Sequence, residues 1–228
     1  MILAAMRADA ATVEPPGPSP RPLRRVGTAL VAGRPEEVAR LLLGTLLVRD
    51  DRHELRVARI VETEAYAGPE DRASHARAGR TSRTGVMFGP PGHAYVYLVY
   101  GMHHCLNVVC ASEGEAGAVL IRAVEPVAGV AAMRTARGRP TDPAARLAAG
   151  PARTCQALDV DRRHDGLDLL SDRGLWLASD GSDAIPDSAI LIGPRIGVGY
   201  AGPVWAMRPW RFGIAGSPAL SRPFPLAS

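Results

Sequence analysis

In the stretch Arg59-Ile60-Val61-Glu62-Thr63-Glu64-Ala65-Tyr66, two carboxylates and an aromatic ring recur at every second position. Because successive side chains of a β-strand point to opposite faces, Glu62, Glu64 and Tyr66 are predicted to project together from one face of a strand. The Gly68-Pro69 pair that follows marks a turn at which this strand ends. Acidic side chains are most often solvated, so the pattern is compatible both with an exposed face and with a polar site lined by the two glutamates.

Hydrophobic patterns on either side of this strand predict one mixed α+β domain with an antiparallel sheet. Pro35 followed by two glutamates is typical of the first turn of a helix. Tyr100-Gly101 lies between two strand-like runs and predicts the turn of a β-hairpin. The chain of 228 residues is long enough for one such domain with a substantial core. Further strands are predicted at 45–48, 54–65 and 118–124, further helices at 127–134 and 151–158, and strand with Gly-rich loop at 190–200 and 211–215.

Composition narrows the possible classes of protein. Hydrophobic residues make up 46% and charged residues 22%, as in globular proteins, and no apolar run approaches the roughly 18 residues of a membrane span. The three cysteines, Cys105, Cys110 and Cys155, form no CxxC pair, so reduced thiols and a cytoplasmic location are expected. The run His103-His104-Cys105 has no second ligand pair at metal spacing, and no metal site is predicted.

The charge comes from an unusual set of residues. All 27 basic residues are arginine, and the net charge is +4. Arginine matches phosphate geometry well, and the positive balance permits a polyanionic partner. Without lysine, the chain has no side-chain amine that can form a Schiff base with an opened sugar. Residues 1–26 are rich in Pro, Ala and Arg without apolar periodicity, which predicts a disordered tail whose Arg21, Arg24 and Arg25 are available for loose phosphate contacts.

A carboxylate next to an aromatic ring suits hydrolysis of a sugar–base bond, since the carboxylate can activate water and the ring can stack on the departing base. The residues alone do not choose between Glu62 and Glu64, because both lie on the same strand face. A carbohydrate-active hydrolase that uses both as its acid–base pair is an alternative, although the chain has only three Trp to stack on sugars. Among the clustered tyrosines, Tyr95 suits a core position, whereas Tyr100, beside a turn glycine, suits a wedge between bases.

Short blocks of sequence that occur in a fixed order carry a family resemblance. They are Arg59 to Tyr66, Gly68 to Asp71, Met87 to Gly92, Tyr95 to Met102, Arg122 to Pro126, Gly150 to Leu158 and Arg195 to Gly199. Together they closely resemble the alkyladenine (3-methyladenine) DNA glycosylases. The resemblance covers roughly residues 28 to 218. It implies a glycosylase domain at 27–218, a C-terminal tail at 219–228, and a strongly curved sheet with a protruding hairpin and a few surrounding helices.

The resemblance implies catalytic roles for particular residues. Glu64 matches the general base that activates the attacking water, which leaves Glu62 as a structural residue. Arg122 matches the arginine that helps to hold this water and the phosphate of the flipped nucleotide. The backbone carbonyl of Val198 is implied as a third contact of the water.

A base pocket and a wedge are implied in the same way. Tyr66 and His75 match one wall of the pocket, and Tyr97 matches the opposite wall. Asn107 matches the amide that senses a purine 2-amino group and so disfavours normal guanine. Tyr100 matches the residue that fills the gap left by the flipped base.

Several residues near these positions keep alternative interpretations. Arg80 and Arg83 lie in a long loop rich in Gly and Arg, where they either clamp phosphates or solubilise the loop. His103 and His104 stand where some relatives carry aromatic residues. Core positions are expected for Met102, Cys105 and Leu120.

The resemblance implies a monofunctional enzyme that removes alkylated or deaminated purines from double-stranded DNA and starts base-excision repair without a cofactor. It further implies a monomer in the cytoplasm, associated with the bacterial nucleoid and with no membrane partner. A non-catalytic relative that binds damaged DNA is the alternative, and the intact Glu64 argues against it.

Overall fold

The computed structural model describes residues 22–225 of the chain. Its strands are β1 Arg24–Arg25, β2 Leu46–Asp50, β3 Leu55–Tyr66, β4 Ala94–Val99, β5 His103–Val109, β6 Ala118–Ala128, β7 Leu175–Ser179, β8 Ile190–Gly193 and β9 Arg211–Ile214. Its α-helices are α1 Thr28–Val31, α2 Pro35–Leu41, α3 Val130–Arg137, α4 Ala144–Leu147, α5 Pro151–Ala157 and α6 Pro203–Ala206. Short 3-10 helices lie at His75–Ala78, Gly85–Phe88, Arg162–His164, Asp187–Ala189 and Gly199–Ala201. None of the helices within residues 22–225 has the length and apolarity needed to cross a membrane.

The long strand β3 organises the sheet. All pairings of the named strands are antiparallel, and the main path of the sheet runs β1-β7-β2-β3-β6-β5-β4. The first half of β3 pairs with β2 and its second half with β9, whereas β6 follows it along its other edge. The register between β3 and β6 shifts on either side of Glu62, and such bulges bend a strand and re-aim its side chains. The predicted α+β fold with a strongly curved antiparallel sheet is confirmed.

The two faces of β3 bury different kinds of residue. On one face, the Thr63 hydroxyl donates to the Ala39 carbonyl of α2 at 2.8 Å, within the main core between the sheet and the helices. On the other face, Glu62 and Glu64 both bind Arg122 of β6. The predicted alternation is therefore confirmed. The interpretation of this face as exposed and solvated is wrong, since both glutamates have 0% of their surface exposed.

The predicted hairpin is formed by β4 and β5, with Val99 paired to His103. Tyr100 and Gly101 both have positive φ angles, 52° and 69°, and glycine adopts this conformation without steric penalty. The turn leaves Tyr100 88% exposed at its tip. Met102 is 70% exposed on the same turn, so its predicted core position is wrong, whereas Cys105 and Leu120 are buried as predicted.

Both ends of the described chain pack on the sheet, in contrast to the predicted tails. Residues 1–21, which include Arg21, lie outside the described part of the chain. Arg24 and Arg25 form β1 because their backbone pairs with β7. The residue pattern does not predict strand β1. At the other end, Ala219 is buried and Ser221 binds β3 and β6, so the folded domain continues beyond residue 218.

The predicted helix at 127–134 begins later than expected. Strand β6 continues to Ala128, and α3 begins at Val130. Between them Gly129 has a φ of 73°, and a Cβ at this position would lie 2.2 Å from the Leu55 carbonyl oxygen. The chain can change from strand to helix here only because glycine allows this close approach of two backbones. Of the strand and Gly-rich loop predicted at 190–200, the strand part is β8, Ile190–Gly193.

Candidate active site

A cavity of about 420 Å³ opens beside the second half of β3, and we call it the aromatic cavity. The hairpin, the loop after β3 and the loop before α6 enclose it. Glu64 is buried just beneath the lining, because its partners Tyr66, Arg122 and Ile196 line the cavity. Arg80 is exposed outside the lining. The remaining predicted site residues all line it, namely Tyr66, His75, Arg83, Tyr97, Tyr100, Asn107, Arg122 and Val198.

Two hydrogen bonds and one ion pair hold the Glu64 carboxylate beneath the cavity. Its Oε1 accepts from the Ile196 backbone N–H at 2.7 Å and lies 3.2 Å from Arg122 Nη1. Its Oε2 accepts from the Tyr66 hydroxyl at 2.8 Å. A carboxylate offers about four acceptor positions, so Oε2 keeps one position for a further donor.

The Tyr66 ring is held rigidly above this carboxylate. Burial, followed by the neighbouring Glu64 charge, raises the pKa of the Tyr66 hydroxyl well above its usual value. The hydroxyl therefore stays protonated and remains a donor to Glu64. The Arg195 guanidinium lies 4.8 Å from the centre of the ring, within the range of a cation–π contact.

A buried ion pair positions the two loops around Tyr66, and neither residue was assigned a role from the sequence. Arg195 donates from Nη1 to Asp71 Oδ2 at 2.6 Å and from Nη2 to Asp71 Oδ1 at 2.9 Å. Arg195 Nη1 also donates to the Ala65 carbonyl. This two-pronged pair joins the turn after β3 to the loop that presents Ile196 and Val198. Their membership of the blocks that carry the family resemblance is the sequence signal that points to them.

Glu62 lies behind Glu64 in a second charged environment. Its Oε1 accepts from Arg122 Nε at 3.0 Å, from Arg211 Nε at 2.7 Å and from the Ser221 hydroxyl at 2.8 Å. Its Oε2 accepts from the Ser221 backbone N–H at 2.6 Å. Of the three residues that bind Glu62, only Arg122 lines the aromatic cavity, so Glu62 is turned toward the protein behind it. We call the buried set Glu62, Glu64, Arg122 and Arg211 the carboxylate–arginine cluster; its two positive charges balance its two negative charges.

The opposite side of the cavity is a group of aromatic rings. The His75 and Tyr97 rings meet edge to face with their centres 4.4 Å apart, and His75 Nδ1 lies 2.9 Å from the Tyr95 hydroxyl oxygen. A separation of 4.4 Å leaves no room for a base between His75 and Tyr97. The prediction that these two rings form opposite walls is therefore wrong, since they belong to one wall.

His75 is neutral at physiological pH. Burial first, and then the positive charges of Arg83 and Arg77, lower the pKa of His75 to about 4. Arg83 itself lies 5.6 Å from the centre of the Tyr97 ring. It thus reaches the mouth of the aromatic cavity from the loop after β3.

Asn107 and Val198 present polar groups at the cavity. Asn107 lies on β5, and its Nδ2 donates to the Tyr95 carbonyl at 3.0 Å, which fixes the plane of the amide. The Val198 carbonyl accepts from the Ala201 backbone N–H at 3.0 Å and keeps one lone pair.

Tyr200 also lines the cavity, although it was not singled out from the sequence. Its ring is exposed, Arg77 lies over it at 5.2 Å, and its hydroxyl donates to the Ala73 carbonyl at 3.0 Å. Its only sequence signal was its position directly after Gly199, where the last of the family blocks ends.

Comparison with known proteins agrees with the residue blocks. The sequence model of the family described as Methylpurine-DNA glycosylase (MPG) matches residues 29–218. A relative from Anaeromyxobacter dehalogenans (strain 2CP-1), named "Putative 3-methyladenine DNA glycosylase", is 53% identical over 193 residues, which cover 84% of this chain and 82% of the relative. A relative of the same name from Streptomyces avermitilis is 47% identical, and the match covers 81% of this chain and 85% of the relative. Another from Methanocella arvoryzae is 46% identical, and the match covers 83% of this chain and 92% of the relative. The predicted resemblance is thus confirmed, and the chain belongs to the methylpurine-DNA glycosylase family of DNA-repair proteins.

Proposed function

We propose that this protein is a monofunctional DNA glycosylase that flips alkylated or deaminated purines out of duplex DNA and hydrolyses the N-glycosidic bond with a water activated by Glu64. One observation carries the proposal. Glu64 is buried beneath an aromatic cavity, and its Oε2 keeps one acceptor position after binding Tyr66.

The aromatic cavity suits a flat purine. A flipped base stacks between Tyr66 and the wall formed by Tyr97 and His75, and Asn107 meets its edge. An alkylated purine carries a positive charge, and a neutral His75 does not repel it. Unstacking a base costs a few kcal/mol and costs least for a damaged or mispaired base, which is one source of selectivity.

The reaction needs a base but no cofactor. The water oxygen bonds to the anomeric carbon, a water proton passes to Glu64 Oε2, and the glycosidic bond breaks with its electron pair leaving on the purine. The transition state resembles an oxocarbenium ion, which the Glu64 charge stabilises. Arg122 Nη1, with its second hydrogen, and the Val198 carbonyl hold the same water. The products are a free base and an abasic site.

The protein binds DNA as a monomer through basic and aromatic groups around the cavity. Tyr100, exposed at the hairpin tip, enters the base stack and fills the space left by the flipped nucleotide. Arg77, Arg80 and Arg83 are exposed on the loop after β3 and contact phosphates.

The test is release of a labelled base under single-turnover conditions. Duplexes with one 3-methyladenine, 7-methylguanine or hypoxanthine are incubated with excess protein, with an undamaged duplex and a free oligosaccharide as controls. Release of free purine that leaves an uncleaved abasic strand supports the proposal. Tight binding without release supports the non-catalytic relative, and cleavage of the oligosaccharide supports the carbohydrate hydrolase.

A further inference from the structure

The segment that follows residue 218 closes the back of the carboxylate–arginine cluster. The match to the family model ends at residue 218, yet Arg211 Nη1 and Nη2 donate to the carbonyls of Pro223 and Arg222. The Phe224 ring lies 3.8 Å from the Arg211 guanidinium carbon. The segment therefore binds one of the two arginines that neutralise Glu62.

Ser221 makes the most direct contact of this segment with the cluster. Its hydroxyl donates to Glu62 Oε1 at 2.8 Å and accepts from Arg122 Nη2 at 3.3 Å. Its backbone N–H donates to Glu62 Oε2 at 2.6 Å. The hydroxyl thus acts as donor to the carboxylate and as acceptor from the guanidinium at the same time.

Arg122 is the link between Ser221 and the carboxylate beneath the cavity. Its Nε binds Glu62, its Nη2 binds Ser221, and its Nη1 lies 3.2 Å from Glu64 Oε1. A guanidinium is planar and rigid, so fixing two of its nitrogens fixes the third. The direction in which Nη1 points therefore depends on the partners of Nε and Nη2.

We propose that Ser221 is a positioning residue for the excision reaction, whose hydroxyl holds Arg122 in the orientation that serves Glu64. This inference rests on the proposed role of Glu64 as the base. Ser221 does not touch the substrate. Without its hydroxyl, Arg122 Nη2 loses its acceptor and Glu62 loses one of four donors, so the guanidinium can turn away from Glu64.

The experiment compares three variants of the full chain. Ser221→Ala removes the hydroxyl but keeps the backbone N–H bond to Glu62, and Ser221→Thr keeps the hydroxyl. Ser217→Ala is the matched control, because this hydroxyl lies just before the segment and its partners, Glu125 at 3.4 Å and the Ala219 backbone N–H at 3.3 Å, are outside the cluster. Each variant is measured for single-turnover excision, affinity for a lesion duplex and melting temperature.

Ser221→Ala is expected to lower the maximal single-turnover rate about fivefold, the effect of one hydrogen bond on the barrier, with unchanged lesion affinity. Ser221→Thr is expected to recover the wild-type rate, and Ser217→Ala to keep it. If Ser221→Ala does not fold, Ser221→Cys takes its place, since a thiol fills the same position with a weak hydrogen-bonding group. A purely structural role would lower the melting temperature without this separation of rate from affinity.

The outcomes separate this inference from the proposed function. If Glu64→Gln lowers the excision rate but Ser221→Ala does not, only the role of Ser221 is refuted. A loss in Ser221→Ala that Ser221→Thr does not restore also refutes it. If Glu64→Gln keeps the wild-type excision rate, both the proposed base and the inference that rests on it are refuted.

Discussion

The same substitution, glutamate to glutamine, at Glu64 and at Glu62 tests the assignment of the catalytic base. Both residues lie on the same face of β3, both are fully buried, and both bind Arg122. The substitution keeps the size of each side chain and removes its charge. The two variants therefore differ only in the surroundings of the carboxylate that is lost.

Glu64→Gln is expected to abolish most chemistry while the protein stays folded and binds lesions. Loss of a general base lowers the rate about 10²- to 10⁴-fold, which corresponds to about 3 to 5 kcal/mol on the barrier. The amide oxygen can still accept from Ile196 and Arg122, and Glu62 still balances the charge of Arg122. The stability loss is therefore expected to be only about 1 kcal/mol, that of a typical point substitution.

Glu62→Gln is expected to act mainly on stability. It leaves Arg211 buried without the carboxylate that it contacts, because Glu64 pairs only with Arg122, and breaking a buried ion pair costs about 3 to 5 kcal/mol. For a domain of this size, each kcal/mol lowers the melting temperature by about 2 to 4 °C, so a fall of about 6 to 20 °C is expected. Because Glu62 also orients Arg122, the rate is expected to fall about tenfold, which corresponds to the lower end of the range for one hydrogen bond to a charged group.

Single-turnover excision of hypoxanthine or a methylated purine, measured well below the lower melting temperature, gives both rates. Thermal unfolding of the same samples gives the stabilities, and gel-shift binding to the lesion duplex shows that the sites remain formed. Near-normal excision by Glu64→Gln, or a larger loss in Glu62→Gln than in Glu64→Gln, would mean that the base is misassigned.

Three further outcomes are expected. Tyr100→Ala should weaken binding to the damaged duplex and slow excision without lowering the melting temperature, since the ring is 88% exposed; a collapse of stability would identify it as a packing residue. Binding to duplex DNA should weaken as salt rises because phosphate contacts by Arg77, Arg80 and Arg83 release counterions; an affinity independent of salt would contradict this. Borohydride added during turnover should trap no protein–DNA adduct, because the chain has no lysine; a trapped adduct would contradict direct attack by water.

Local features of the fold could be predicted because they depend on neighbouring residues. The side-chain alternation in β3 follows from the strand repeat, the start of α2 from Pro35, and the hairpin tip from Gly101. Strand β1 could not be predicted, since two arginines have little tendency to form a strand and do so only through pairing with β7. The place of His75 was similarly hidden, because its contact with Tyr97 depends on how the loop after β3 folds back on the hairpin.

The choice between Glu62 and Glu64 was out of reach of local reasoning for the same reason. The donors to Glu62 come from Arg122, Arg211 and Ser221, which lie 60, 149 and 159 residues away along the chain. Ile196, whose backbone N–H donates to Glu64, lies 132 residues away. Only the tertiary structure brings these groups to β3, so two glutamates that are equivalent in sequence become different in surroundings.

That difference in surroundings gives a physical reason, independent of the family resemblance, why Glu64 acts as the base and Glu62 as a structural residue. Glu62 accepts four hydrogen bonds, two of them from guanidinium groups, and two of its three partner residues, Arg211 and Ser221, lie outside the cavity lining. Glu64 accepts two hydrogen bonds and pairs with Arg122, and all three of its partners, Tyr66, Ile196 and Arg122, line the cavity. Paired carboxylates in enzymes commonly take separate roles because their environments differ. A base must reach the water in the cavity, and of these two carboxylates only Glu64 is bound entirely by residues that line the cavity, with an acceptor position left on Oε2.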